Sequence, residues 1–266
     1  MRMTPSDRTI VHKVYIWYFL GVEVKEEKFG IRTYECGVDG KLKIFSLMQY
    51  LQEIAALHAE QLGLGFDKLS EMGGYWVLSN IRIEISRLPG REDEITLRTW
   101  PSGYSRTIAT REFVGKDQDG SELFRAGSEW MVLNKQTNRL KNLFKLELNL
   151  PKTGVKALPD EHKRLEPDGD YRVGAVREPP VLVPRSAIDL NGHVNNTEYV
   201  RWGIDALSRE FKLNENIRSV QATYLSEVFE GDKLDLLATS KTGGQFGVLG
   251  RKSGTDANVF LMEVCC

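Results

Sequence analysis

Residues 39–62 read DGKLKIFSLMQYLQEIAALHAEQL, and the spacing inside that run decides the architecture. Ile44, Leu47, Met48, Leu51, Ile54, Ala55, His58 and Leu62 recur at intervals of three and four residues, which places them on one face of a helix. The Val38-Asp39-Gly40 turn leads into it, and Gly63 and Gly65 stop it. Upstream, residues 29–36 read as a strand. Downstream the period falls to two: Val77, Ile81, Ile83 and Ile85 alternate with Leu78, Asn80, Arg82 and Glu84. Pro89-Gly90 turns the chain, and 94–100 alternates again, with Ile95 and Leu97 on one face. Residues 107–114 and 123–134 read as two more strands, joined by the hairpin signal Asp117-Gln118-Asp119-Gly120. One long helix followed by an antiparallel run of strands is an α+β layered arrangement.

The same pattern then restarts. Residues 151–180, rich in Pro, Lys, Asp and Gly and without a sustained period, read as a linker. Residues 181–188 are strand-like, Leu190-Asn191-Gly192 turns, and 198–211 is helical with Val200, Ile204, Leu207 and Phe211 on one stripe. Strands follow at 217–226, 233–240, 245–252 and 258–264. Asp39-Gly40-Lys41-Leu42 overlays Asn191-Gly192-His193-Val194, and residues 45–50 overlay 197–202. The chain therefore reads as a duplicated unit. A sheet wrapped around one long helix is the hot-dog arrangement. The expectation is two tandem hot-dog domains, at 29–150 and 181–266, after an N-terminal extension at 1–28. Pairing them edge to edge makes one continuous sheet and removes exposed edges.

Composition bounds the function. The chain has 266 residues, 41% hydrophobic and 27% charged, with a net charge of −1. No global basic field draws in nucleic acid or an anionic membrane. The apolar run at 14–24 is too short to span a bilayer. Cys36, Cys265 and Cys266 are odd in number and form no Cys-x-x-Cys pair. That argues against a disulfide framework and a metal site, and for a reducing, cytoplasmic setting without a cofactor.

The two copies differ most at the turn before the helix. The first has Asp39-Gly40-Lys41, whereas the second has Asp189-Leu190-Asn191-Gly192-His193-Val194-Asn195-Asn196. Histidine exchanges a proton near neutral pH or donates to a developing oxyanion. Asparagine polarises a carbonyl without changing charge, and a helix N-terminus favours negative charge. Asp189 has two uses here, fixing the imidazole tautomer or orienting Asn191. The plainer reading is that Asn195 and Asn196 cap the helix and Asn191-Gly192 is a turn. His58 lies on the apolar stripe of the first helix and reads as a core histidine or as part of a pocket. Trp76, Trp100 and Trp130 fall in or beside strands and carry the same two readings. Lys135, Arg139, Lys141, Lys145 and Lys152 form a basic run, either a solvated face or a docking patch for an acidic partner. Residue chemistry alone makes Glu227 a surface carboxylate beside the Glu230-Gly231-Asp232 turn.

The run from Asp189 to Trp202, DLNGHVNNTEYVRW, closely resembles the signature of acyl-acyl carrier protein thioesterases. Tyr224-Leu225-Ser226-Glu227 is similar to the segment in which that family carries a Tyr and a catalytic Glu. Leu51-Gln52-Glu53 and the stretch from Trp130 to Leu140 are similar to its helix motif and to its last strand with the turn after it. The resemblance implies a double hot-dog fold and hydrolysis of fatty acyl-carrier-protein thioesters. It further implies catalysis in the second domain and an acyl-chain pocket largely in the first. Carried onto this sequence, it makes Asn191, His193 and Glu227 catalytic, with Asp189 in support. Asn195, Asn196, Trp76 and His58 become substrate-contacting candidates. Some members carry a Cys directly after the Glu, where this chain has Val228, so a cysteine acyl-enzyme is not expected. The partner implied is acyl carrier protein, with no membrane span, and a homodimer is compatible with the reading. The alternatives are an acyl-CoA thioesterase or a hydroxyacyl dehydratase of the same fold, and a non-enzymatic acyl sensor. The polar run does not look like dehydratase motifs, and no helix-turn-helix of a sensor is evident.

Overall fold

The computed structural model describes residues 24–146, 148, 150–159, 163–167, 171, 175–213 and 216–266. His12 and His162 lie outside them, as does the 14–24 run apart from Val24. The first half supplies strands β1 (Lys25–Gly30), β2 (Gly74–Ile85), β3 (Glu94–Tyr104), β4 (Ala109–Lys116) and β5 (Glu122–Asn134). Its helices are α1 (Ile44–Gln61) and the short α2 (Phe66–Glu71). The second half supplies β6 (Val176–Arg177), β7 (Val181–Leu182), helix α3 (Asn196–Phe211), β8 (Ser219–Tyr224), β9 (Lys233–Ser240), β10 (Gln245–Lys252) and β11 (Asn258–Cys265). These strands form one sheet in the order β1-β3-β4-β5-β2-β8-β11-β10-β9-β6, with β7 also on β9. The order reads as the same unit twice, back to back. The central joint is the antiparallel β2–β8 pair, from Asn80 opposite Thr223 to Glu84 opposite Ser219. This is the double hot-dog expected from the sequence.

The duplication holds at the level of single hydrogen bonds. In the first copy Gly37 N–H donates to Lys41 O at 2.8 Å, Gly40 N–H to Gly37 O at 3.0 Å, and Leu42 N–H to Pro89 O at 2.9 Å. In the second, Asp189 N–H donates to His193 O at 2.8 Å, Gly192 N–H to Asp189 O at 3.0 Å, and Val194 N–H to Val228 O at 2.9 Å. Gly40 and Gly192 sit at φ 74° and 82°, the left-handed conformation that this turn requires and glycine adopts without strain. Lys41 thus occupies the place of His193. Because Pro89 matches Val228, Leu88 occupies the place of Glu227.

Helices α1 and α3 pack against each other on one face of the sheet. Their stripes do not build two separate cores. Leu47, Leu51, Ile83 and Phe113 of the first half belong to the same buried cluster as Val200, Leu207, Ala222 and Phe260 of the second. Continuity across β2–β8 merges the cores, since both helices cover one uninterrupted apolar surface.

Three local expectations need correcting. The first strand is not at 29–36. It covers Lys25–Gly30, and a 3-10 turn at Thr33–Glu35 follows. There Arg32 N–H donates to Glu35 Oε2 at 2.7 Å and closes the turn. The strand-like run at 181–188 holds only two strand residues before Pro184 and a second 3-10 turn, Arg185–Ala187. Proline has no N–H to continue a ladder. Finally, 151–180 is more than a spacer, because its described parts are fastened to the sheet face away from the helices. Trp100 Nε1–H donates to Val155 O at 2.9 Å, and Ala157 N–H to the buried Glu112 Oε2 at 3.0 Å. Leu165 N–H donates to Thr223 Oγ1 at 3.0 Å, and β6 pairs with β9.

Candidate active site

The strands set the site at the joint between the halves. Strand β2 begins at Gly74, several residues beyond the last rung it shares with β8. The chain leaving β8 runs past this overhang, so Tyr75 of the first half meets Glu227 of the second. Tyr75 donates its hydroxyl proton to Glu227 Oε1 at 2.6 Å, and Asn138 Nδ2–H donates to Oε2 at 2.9 Å. The Tyr75 hydroxyl also lies 2.9 Å from Asn138 Oδ1. Both carboxylate oxygens are therefore held by donors from the first half. Burial, followed by the hydrogen bond to Glu227 and its charge, pushes the Tyr75 hydroxyl above the ordinary tyrosine range. It therefore remains a donor at neutral pH.

The His193 ring approaches the same carboxylate oxygen that Tyr75 holds. Its Nδ1 is 3.6 Å from Glu227 Oε1, and both side chains are about one-fifth exposed, 20% and 19%. That distance is an electrostatic contact, longer than a hydrogen bond. Two aromatics bracket the ring: Tyr75 at a centroid distance of 5.7 Å, and Phe229, edge-on, at 5.1 Å. The carboxyl of Glu227 and the imidazole of His193 thus share one half-buried cleft.

Asp189 acts on the loop backbone. Its Oδ1 accepts from Asn191 N–H at 2.8 Å and from His193 N–H at 3.3 Å, which fixes the path between the two side chains and not the imidazole tautomer. The Asn191 amide makes no hydrogen bond among the described residues, so its donors and acceptor are free for a ligand. Asn195 is the N-cap of α3. Its Oδ1 accepts from Thr197 N–H at 3.0 Å and Thr197 Oγ1–H at 2.9 Å, a contribution of about 1 kcal/mol for a cap of this kind. Its carbonyl also takes the Glu198 N–H at 3.0 Å. The helix terminus therefore has little to offer a ligand beyond the N–H of Asn196, whose carbonyl accepts from the Tyr224 hydroxyl at 3.0 Å.

The two first-half candidates lie elsewhere. Trp76 follows Tyr75 in β2, and successive strand side chains point oppositely. It packs on a second apolar cluster with Leu64, Leu69 and Val132, and its indole N–H donates to Leu64 O at 2.9 Å. His58 is 1% exposed, with Nδ1 3.0 Å from Arg111 Nη1. Burial lowers the Arg111 guanidinium to about 10. Sequence reasoning missed Tyr75, Asn138 and Phe229. Among the described residues, no His, Cys, Asp and Glu group has a metal-binding arrangement.

Removing the Tyr75 hydroxyl tests its hold on Glu227. Tyr75→Phe is expected to lower kcat for a thioester substrate about tenfold to a hundredfold, the worth of a hydrogen bond to a charged group at about 1.5–3 kcal/mol. KM and the melting temperature should stay near wild type. A kcat within twofold of wild type would show that the contact is incidental.

Comparison with known proteins identifies the family. Residues 23–146 match the acyl-ACP thioesterase N-terminal domain, and residues 174–257 match the C-terminal domain. An oleoyl-acyl carrier protein thioesterase from Arabidopsis thaliana is 26% identical over 88% of this chain and 67% of its own length. A palmitoyl-acyl carrier protein thioesterase of the same plant is 29% identical over 85% of this chain and 57% of its own. Both are chloroplastic, and this chain spans between about half and two-thirds of the curated relatives' lengths. Two solved structures share the fold, each with a TM-score of 0.80 over 91% of this chain. One is an acyl-ACP thioesterase from Bacteroides thetaiotaomicron, 23% identical over 97% of that chain. The other is a 12:0-ACP thioesterase from Umbellularia californica, 24% identical over 96% of that chain.

Proposed function

Because this chain belongs to the acyl-ACP thioesterase family, we propose that it hydrolyses fatty acyl–acyl carrier protein thioesters to free fatty acid and carrier protein. The observation that carries the proposal is the shared cleft, with Glu227 held by Tyr75 and Asn138 and lying 3.6 Å from His193. In this reading Glu227 takes a proton from water. The water oxygen attacks the thioester carbonyl carbon, His193 and Asn191 donate to the oxygen as it gains charge, and the C–S bond then breaks. The departing thiolate takes up the proton. A carboxylate already held at both oxygens pays little to reorganise during that transfer.

A covalent cysteine route has no support. Val228, directly after the Glu, is fully buried, and no cysteine is among the residues that contact Glu227 or His193 in the described structure. The odd cysteine count, without a Cys-x-x-Cys pair, supports a reducing, cytoplasmic compartment. No helix among the described residues is long and apolar enough to cross a membrane. We assign catalysis to the second half and the acyl-chain pocket largely to the first, a division that the first-half origin of Tyr75 and Asn138 makes less strict. The test is thiol release from a panel of acyl-carrier-protein thioesters of graded chain length, run beside the matching acyl-CoA series. Turnover preferring the carrier-protein series is expected. Tight binding of acyl thioester with no release would favour a sensor, and preference for CoA would move the substrate.

A further inference from the structure

Many described cations reach a carboxylate: Lys28, Arg87, Arg125, Arg185 and Lys252 each do so within 3.0 Å. The segment after β5 behaves differently. Lys135, Arg139 and Lys145, with Lys152 shortly beyond, are exposed and have no carboxylate partner among the described residues. Lys135 also donates to Ser70 Oγ at 2.7 Å, while the less exposed Lys141 gives its amine to Met72 O at 2.6 Å and is left out of the group.

Large apolar side chains stand among the same cations. Phe144 is 60% exposed, Leu140 51% and Phe66 43%. The Lys135 ammonium sits 5.3 Å from the Phe66 ring centroid, and that of Lys152 lies 3.9 Å over Tyr104 and 5.9 Å from Phe144. Exposed apolar groups interleaved with charge of one sign that meets no described carboxylate are the composition of a protein-docking surface. Its place is equally specific. The loop that carries Lys135, Arg139 and Leu140 also carries Asn138, whose amide holds Glu227. Anything seated here lies beside Asn138 and so close to Glu227.

Resting on the hydrolase reading above, we infer that this surface docks the acidic carrier protein itself, with Lys135, Arg139, Lys145 and Lys152 meeting its carboxylates and Leu140 and Phe144 its apolar contact. Docking there places the base of a thioester-bearing arm beside the cleft. An isolated acyl thioester lacks those carboxylates and gains nothing from the patch.

The test uses the full chain in two measurements. Binding of fluorescent holo-acyl carrier protein is followed as salt is varied, and hydrolysis of an uncharged acyl-pantetheine thioester is followed separately. The variants are a Lys135→Glu, Arg139→Glu, Lys145→Glu triple and a gentler Lys145→Gln, Lys152→Gln double. The expected result is a Kd raised tenfold or more in the triple and about threefold in the double, with a shallower salt dependence. Acyl-pantetheine turnover should be unchanged, which also certifies the fold. An unchanged Kd in the triple, or a parallel loss of binding and acyl-pantetheine turnover in both variants, would overturn the assignment. If wild type binds carrier protein through these residues yet hydrolyses no thioester, the docking surface stands and the hydrolase reading falls.

Discussion

Glu227→Gln is expected to lower kcat for an acyl-carrier-protein thioester by about 10²–10⁴-fold, the usual worth of general-base assistance. The substitution keeps the shape and removes the proton acceptor. It also misfits its neighbours, because Tyr75 and Asn138 donate to the two carboxylate oxygens, and an amide presents one oxygen and one NH₂ to two donors. KM should move only a few-fold, since neither effect removes acyl-chain contacts. Glu227→Asp separates charge from reach. It restores the acceptor but draws it back from Tyr75, Asn138 and His193 together, so partial activity is expected. Single-turnover thiol release on both variants, with melting temperatures as a folding check, decides the matter. A Glu227→Gln enzyme within threefold of wild type would remove the carboxylate from the mechanism.

What the sequence discloses about the fold follows from which elements bury a face. Helix α1 shows its stripe because one side of it meets the sheet, and β9 and β10 were legible to the residue because mostly buried runs end at the turn residues Gly231-Asp232, Gly243-Gly244 and Ser253-Gly254. Strand β1 was displaced for the opposite reason. Lys25, Glu26, Glu27 and Lys28 look like a surface tail, yet they form an edge strand whose register is supported by ion pairs with β3, Lys28 to Glu94 and Arg98 to Glu26. Edge strands with charged faces avoid pairing with other molecules, and the same property hides them from a hydrophobic-period reading. The crossing segment after residue 150 was hidden likewise, because it is held by single hydrogen bonds and scattered buried residues such as Leu158 and Tyr171.

The site was legible only where chemistry was concentrated. Asp189, Asn191 and His193 drew attention because their loop differs from its twin, and the structure sets Lys41 in the equivalent place. Glu227 carried no signal of its own and came from the family resemblance. A sharper use of the duplication could have reached it. The bond from Leu42 N–H to Pro89 O has its counterpart from Val194 N–H to Val228 O, so Leu88 against Glu227 is a further difference at matched positions, apolar in one half and charged in the other. Tyr75 and Asn138 were out of reach for a different reason. They belong to the other half, and their place follows from β2 pairing with β8 and not another strand. Edge-to-edge pairing was expected, but no residue pattern names the edge.

His193→Ala should reduce kcat about 10²–10³-fold if the imidazole donates to the developing oxyanion, and its dependence on Glu227 distinguishes that role from simple packing. The ring packs against Tyr75 and Phe229, so the alanine variant also opens a gap against two aromatics. His193→Asn and His193→Phe separate the contributions: the first keeps a donor in a smaller side chain, and the second fills the space without a donor. Recovery of part of kcat in His193→Asn but none in His193→Phe is expected. In the double variant with Glu227→Gln, the loss should fall well short of the product of the single losses, because groups that act on one transition state are not additive. A fully multiplicative double variant, or a His193→Phe enzyme as fast as wild type, would mean that the imidazole serves as packing beside a carboxylate that works without it.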